Sequence, residues 1–256
     1  MSDQLHDPVQ HAALLLLLAR RNPAERLDRL PDGYAPEDEP SAYEVQRRVM
    51  AALGEIGGWK VGAAGPDAPI VCGPMPLDGI TGGSAALPGV APGVPLLIEA
   101  EVAFRMKAGL PPRTEPYSRE EVVAAIGSAH PAIEWLQSRF LDPDAVDAAS
   151  NLADTQMHGG FVHGPGVEGW QGLAFADLGV TQAVGDAEPV SRVGNPAGDM
   201  LRLVVWLANV GAVWAGGLRA GEFVTCGSWT GKTPVPSGKW ATVRFAELGE
   251  VALLSP

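Results

Sequence analysis

Residues 96–107 read LLIEAEVAFRMK, in which apolar and β-branched positions alternate with Glu99, Glu101 and Arg105 at a period of two. That spacing predicts a β-strand with one face turned into a core. A strand needs partners, and the C-terminal third supplies candidates: EFVTCGS, WATVRFAEL and VALLS are short strand-like runs separated by Gly and Pro turns. Glycine occurs 32 times and proline 23 times, in a chain that is 46% hydrophobic and 19% charged. This balance excludes disorder, a collagen repeat and a coiled coil. The expected fold class is mixed α/β and β-rich, crossed by few helices.

Helical patterns are confined to a few places. Residues 6–21 are rich in Leu and Ala, and residues 41–53 follow a Ser41/Glu44 pair spaced as a capping box. Ser118 and Glu121 form a second such pair, opening a helix to about residue 128, after which Pro131 forces extended backbone through AIEWLQSRF. A longer helix is predicted from Pro196 to Gly216, with Asn195 as N-cap and apolar faces nearly all round, hence buried. Residues 79–95 are rich in Gly, Pro and Ala and read as a linker or long turn. The expected organisation is an N-terminal helical and loop region, 1–90, integrated with a core, 91–256.

The 256 residues suit one large domain. Thirty Asp and Glu against 18 Lys and Arg give a net charge of −12, which phosphate backbones and anionic lipid would repel. Nucleic acid and membrane are therefore not expected partners. Cys72 and Cys226 stand alone, without metal-ligand spacing, and a reducing compartment fits them. The apolar run at 12–19 is too short to span a bilayer and follows Asp3, His6 and Asp7, not a basic segment. The expectation is a soluble, unprocessed, cytoplasmic protein.

Glu99 and Glu101, two residues apart on a strand, project from one face within reach of a single hard cation. Glu134, in the apolar stretch PAIEW, is costly to bury without a partner and is a third candidate. Three Glu with no Cys or His select Mg²⁺ or Mn²⁺ over zinc. Lys60, within GGWKVG, could hold oxyanion charge or move a proton beside such a centre. The tempting GSWTGKT at 227–233 fails as a phosphate loop, because Cys226 stands where the pattern needs glycine and Pro234 and Pro236 forbid the following helix. The five histidines are scattered and read as structural or exposed.

The order GWKVG, IEAEVAF, PAIEWLQSRF, NLADTQMHGGFVHG, GNPAGDMLRLVVWLAN and GSWTG resembles the 2-keto-4-pentenoate hydratase group of the fumarylacetoacetate hydrolase superfamily, over nearly the whole chain. The resemblance implies a mixed β roll with a small helical N-terminal region, a homo-oligomer, possible pairing with a related enzyme of the same pathway, and Mg²⁺ or Mn²⁺ on Glu99, Glu101 and Glu134. It implies a 2-oxo acid substrate, with Lys60 and Asp154 in catalytic roles and Ser228 and Thr230 among the substrate contacts. Lys232 follows GSWTG and could meet the anionic end of a longer substrate.

Two further departures from the family pattern stand out. An Asp-containing loop expected after the lysine is shortened to PDAPIVCGPM, where Asp67 is the available replacement, and the family A-D-N is ADT at 153–155. The resulting expectation is a metal-dependent hydro-lyase adding water to a 2-hydroxypenta-2,4-dienoate or its 2-oxo-4-enoate tautomer in aromatic-compound catabolism. The alternatives are decarboxylation of a 2-oxo-3-enedioate and a non-catalytic, 2-oxo-acid-binding partner subunit. Hydrolysis of an acylpyruvate is disfavoured, since neither His6 nor His11 can be placed in a water-activating His/Glu pair.

Overall fold

The computed structural model describes residues 7–87 and 96–256. Helix α1 (Pro8–Arg21) opens on Asp7, whose carboxylate accepts the backbone N–H of Val9 and Gln10, with Pro8 at a position where its missing N–H costs nothing. His6, the expected helix start, lies outside the described residues. Helix α2 (Glu39–Leu53) is capped by Asp38 in a reciprocal box with Ser41. Ser41 is thus inside the first turn, and the expected Ser41/Glu44 box is displaced because Asp38 and Pro40 already begin the helix. Glu44 pairs instead with Arg47 and Arg48 along the exposed face.

Among the described residues of the first ninety, the α-helices end at Leu53. The chain continues as β1 (Ile56–Ala63), β2 (Ile70–Pro76), β3 (Ile80–Gly82) and β4 (Ala85–Ala86). Glycine and proline lower the strand signal of IGGWKVGA and IVCGPMP, but pairing and burial override it. Residues 88–95 of the expected linker lie outside the described residues. Next come β5 (Leu96–Met106), α3 (Arg119–Ala125) with the expected Ser118/Glu121 box, β6 (Ile126–Leu136), α4 (Ala148–Ala153) and β7 (His158–His163). The remaining elements are β8 (Gly179–Val184), β9 (Val190–Val193), α5 (Met200–Trp206), β10 (Phe223–Thr225), β11 (Thr233–Val235), β12 (Trp240–Phe245) and β13 (Gly249–Leu254).

The helix expected from Pro196 starts later. Asn195 accepts only the N–H of Ala197, Gly198 then takes a left-handed φ of 74°, and Asp199 becomes the N-cap of α5. Beyond Trp206 the helix widens into a π turn, Leu207–Gly211, and tightens into Val213–Ala215 before stopping at left-handed Gly216. Met200, Leu203, Val204 and Leu207 are buried, whereas Val210 and Val213 are exposed, so its burial is one-sided.

The larger sheet runs β2-β1-β10-β5-β6-β7-β3, with β11 also on β5; the smaller runs β4-β13-β12-β8-β9. Pairing is mostly antiparallel, with β1/β10, β3/β7 and β4/β13 parallel. β12 and β13 pack on β6, and the core between them and α5 holds Trp59, Phe104, Trp170 and Phe245. Each such side chain, fully buried, contributes about 1.5–3 kcal/mol. A second apolar cluster joins α1 and α2 to Phe140 and Leu152. Buried Gln46 ties the helical layer to the sheet, donating to the carbonyls of Leu152 and Cys72. The fold is mixed α/β, sheet-rich and poor in helix, as expected. No helix among the described residues is long and apolar enough to cross a membrane.

Candidate metal centre and active site

Register brings the three glutamates together. In the β5/β6 ladder Glu99 stands directly opposite Glu134, and Glu101 opposite Ala132, so all three carboxylates emerge on one face. Their oxygens lie within 4.8 Å of one another. Glu101 and Glu134 are buried, and Glu134 Oε2 has no hydrogen-bond partner. Burial, reinforced by Glu134 and Glu99, pushes the Glu101 carboxyl well above the ordinary carboxylate range, against the bond donated by Thr225. Burial raises Glu99 as well, despite Lys60.

Lys60 projects from β1 beside this group. Its Nζ donates to Glu134 Oε1 at 2.7 Å and to the carbonyl of Gln156 at 3.2 Å. Burial works to lower its pKa, but Glu134 and Glu99 outweigh it and hold the ammonium above its ordinary value. The same two effects act in reverse on Glu134: burial raises it, and Lys60 and His158 bring it below its usual value. Ionised together, three carboxylates against one ammonium would leave two negative charges to balance. All-oxygen donors, an orphaned carboxylate oxygen and that charge deficit suit a hard divalent cation of the Mg²⁺ kind.

His158, read from sequence as structural or exposed, is fully buried, and its Nδ1 lies 2.8 Å from Glu134 Oε1. Burial lowers its pKa to about 4, so the ring is neutral. A carboxylate partner assigns the proton to Nδ1, leaving Nε2 as a buried acceptor without a donor. His158 follows three consecutive non-glycine residues with left-handed backbone: Thr155 (φ 51°), Gln156 (φ 51°) and Met157 (φ 64°). Each costs of order 1–2 kcal/mol, and such strain concentrates at functional sites. Here the turn aims the Gln156 carbonyl at Lys60.

Asp154 is placed differently from its expected catalytic role. It is buried beside the strained turn and pairs with Arg139, whose guanidinium also donates to the Asp154 and His158 carbonyls at 2.8 and 2.9 Å. Arg20 of α1 reaches the same His158 carbonyl at 3.2 Å. With its carboxylate engaged by Arg139, Asp154 anchors the turn and does not line the cavity. Asp67, the possible replacement acid, is exposed in the β1–β2 turn, also off the cavity wall.

The cavity holds about 730 Å³ and is lined by Lys60, Glu99, Glu101, Asn151, Gln156, Asn195, Ser228 and Lys232, with apolar residues from β1, β2 and α4. Ser228 accepts the Gly231 N–H at 2.9 Å. Thr230 is turned away: its hydroxyl donates to Gln182 at 2.8 Å and accepts the Ala100 N–H. It braces the loop and offers no cavity surface. The structure thus brings together Lys60, the three glutamates, Ser228 and Lys232, while the Asp154 carboxylate is engaged by Arg139 and the Thr230 hydroxyl by Gln182.

No family model matches the chain. Solved structures do. 4-Oxalocrotonate decarboxylase from Pseudomonas putida G7, complexed with magnesium and adipate, is 25% identical over 97% of both chains, with a TM-score of 0.82. The same enzyme with calcium and acetate gives 25% and 0.80 over the same coverage. 2-Hydroxyhepta-2,4-diene-1,7-dioate isomerase from Mycobacterium marinum shares the fold more loosely, at 18% identity and a TM-score of 0.53 over 78% of this chain and 75% of that one. The order of motifs, the sheet-rich fold and the carboxylate cluster agree with these similarities, which are consistent with the hydratase and decarboxylase group of the fumarylacetoacetate hydrolase superfamily.

Proposed function

We propose that the protein is a divalent-metal-dependent lyase acting on a 2-oxo acid in aromatic-compound catabolism, and that its reaction is decarboxylation of a 2-oxo-3-enedioate. Glu99, Glu101 and Glu134 would hold the cation, Mg²⁺ by choice of donors, at the inner end of the cavity, and we read the two packed sheets around it as the β roll implied by the resemblance. When bound, a divalent cation supplies Lewis acidity at a 2-oxo oxygen and favours the enolate form.

The chemistry of the cavity wall carries this reading. Among the described residues, the only lining carboxylate besides Glu99 and Glu101 is Glu39, exposed in the first turn of α2. Hydration needs a group that activates water as well as one that protonates carbon, and Lys60 would have to do both. Decarboxylation needs less. The bond to the departing carboxyl group breaks, its electron pair runs through the conjugated chain toward the 2-oxo oxygen, and CO₂ leaves. The Lys60 ammonium then gives a proton to the dienolate and is recharged from solvent. The Gln156 carbonyl and Glu134 keep that ammonium aimed inward. The similarity to the decarboxylase supports the same reading.

The test is a pair of assays, CO₂ release from a 2-oxo-3-enedioate and water addition to a 2-hydroxydienoate, each with Mg²⁺ and with chelator. Metal-dependent CO₂ release is expected. Turnover in the hydration assay alone would assign the protein to the hydratases, and inactivity in both with retained Mg²⁺ uptake would make it a non-catalytic partner.

A further inference from the structure

The two oxygens of Glu134 stand in opposite situations. Oε1 is reached by Lys60 Nζ of β1 at 2.7 Å and by His158 Nδ1 of β7 at 2.8 Å, whereas Oε2 is buried without any partner. A carboxylate oxygen has about two lone-pair directions, so both of those on Oε1 are filled. Glu101 differs. Its Oε2 receives one donor among the described residues, the Thr225 hydroxyl, and keeps a direction free.

Lys60 already supplies the counter-charge of Glu134, so what His158 adds is direction. Nδ1 donates to the carboxylate whether or not Nε2 carries a proton, and the contact survives either state of the ring. The residue is also held from its backbone. Its carbonyl accepts from Arg139 at 2.9 Å and from Arg20 at 3.2 Å, and its side chain is fully buried. A donor fixed in this way keeps Oε1 covered and leaves Glu134 a single oxygen to give.

Divalent cations respond differently to that limit. Mg²⁺ takes a near-octahedral shell at about 2.0–2.1 Å and keeps several waters, so one oxygen per carboxylate suffices; Ca²⁺ takes about 6–8 oxygens at about 2.3–2.6 Å and gains from carboxylates that give both. We propose that His158 is a positioning residue that closes Glu134 Oε1 to the cation and thereby biases the centre toward Mg²⁺ and against Ca²⁺. This rests on the reading of the three glutamates as the cation site.

Calorimetry on chelator-stripped protein, titrated separately with Mg²⁺ and Ca²⁺, gives the ratio of the two affinities. His158→Phe keeps a ring and removes the donor, while His158→Asn keeps an N–H near the place of Nδ1. The Phe variant is expected to shift the ratio toward Ca²⁺ by about tenfold or more, in the range of effects seen when a partner of a metal ligand is lost, and the Asn variant to stay within about threefold of the unaltered protein. A ratio unchanged by His158→Phe, or an equal shift in both variants, overturns the proposal alone. If His158→Phe does not fold, a crystal structure of the unaltered protein with Ca²⁺ decides: contact through Oε2 only supports the proposal, and contact through both oxygens of Glu134 overturns it. Failure of the unaltered protein to take up either cation overturns the metal-site reading and this one with it.

Discussion

Glu99 and Glu134 face each other across the β5/β6 ladder, a like-charged pair directly opposed in register. Such pairs destabilise a sheet, and burial makes this one worse. A cation that binds only the folded state converts the liability into stability, by about 2.7 kcal/mol at a hundredfold excess over its dissociation constant. Thermal unfolding should therefore show a clear rise in Tm when Mg²⁺ replaces chelator. Glu99→Gln should raise Tm in chelator, by relieving repulsion, and lose most of the Mg²⁺ response. An unchanged Mg²⁺ response in this variant would remove Glu99 from the metal site.

Lys60 is the buried counter-charge of Glu134 and the proposed proton carrier. Lys60→Met should lower kcat by about 10²–10⁴, the usual range for loss of a positioned acid or base. It also leaves Glu134 without its partner, at a cost of about 3–5 kcal/mol in metal-free protein. Scanning calorimetry should show that loss in chelator and its partial recovery with Mg²⁺. Turnover within threefold of the unaltered protein would exclude Lys60 from the chemistry.

The alternation around Glu99 and Glu101 makes the strand and two of the three candidate metal ligands readable from sequence, and the apolar setting of Glu134 marks the third candidate. Lys60 is visible only through its order among other motifs, because GGWKVG carries little strand signal of its own. His158 is hidden for a different reason. Its neighbour Glu134 comes from β6, and the contact depends on the β6/β7 pairing and on a left-handed turn built from Thr155, Gln156 and Met157, which no local propensity favours. Asp154 is harder to read, because its sequence setting does not give the direction of its carboxylate, which Arg139, 15 residues earlier, decides. The extra β1 and β2 strands escape notice because glycine and proline obscure their period.

Arg139 holds Asp154, the Asp154 carbonyl and the His158 carbonyl at once, from a side chain 2% exposed. Arg139→Met should cost about 3–5 kcal/mol by stranding a buried carboxylate, roughly 6–20 °C in Tm for a chain of this size. Arg139→Lys should recover only part, since an ammonium cannot reproduce the planar fork. A Tm for Arg139→Met within 2 °C of the unaltered protein would show that the pair does not anchor the turn.

Both thiols are sealed. Burial pushes Cys72 up to about 12, and Cys226 is raised well above its usual value by burial and by Glu101. Because only the thiolate reacts, a raised pKa leaves no reactive fraction at pH 8. A disulfide-exchange reagent should find no fast thiol in the native protein and two in denaturant. One fast thiol in the native state would show that its surroundings open to solvent.

Strain in the 155–157 turn makes an opposed pair of effects at one position. Gln156 has φ 51° and ψ 47°, where glycine sits without penalty. Gln156→Gly relaxes about 1–2 kcal/mol of backbone strain in the native state but adds freedom to the unfolded chain, worth about 0.4–1 kcal/mol in the other direction. The net expectation is a small gain, a rise in Tm of a few degrees. The same change removes a side chain from the cavity wall and loosens the carbonyl that aims Lys60, so kcat should fall even as Tm rises. If Tm and kcat fall together, the turn is not strained in the native state; if Tm rises with kcat untouched, the turn does not position Lys60. Measuring both on the same preparation decides between these outcomes.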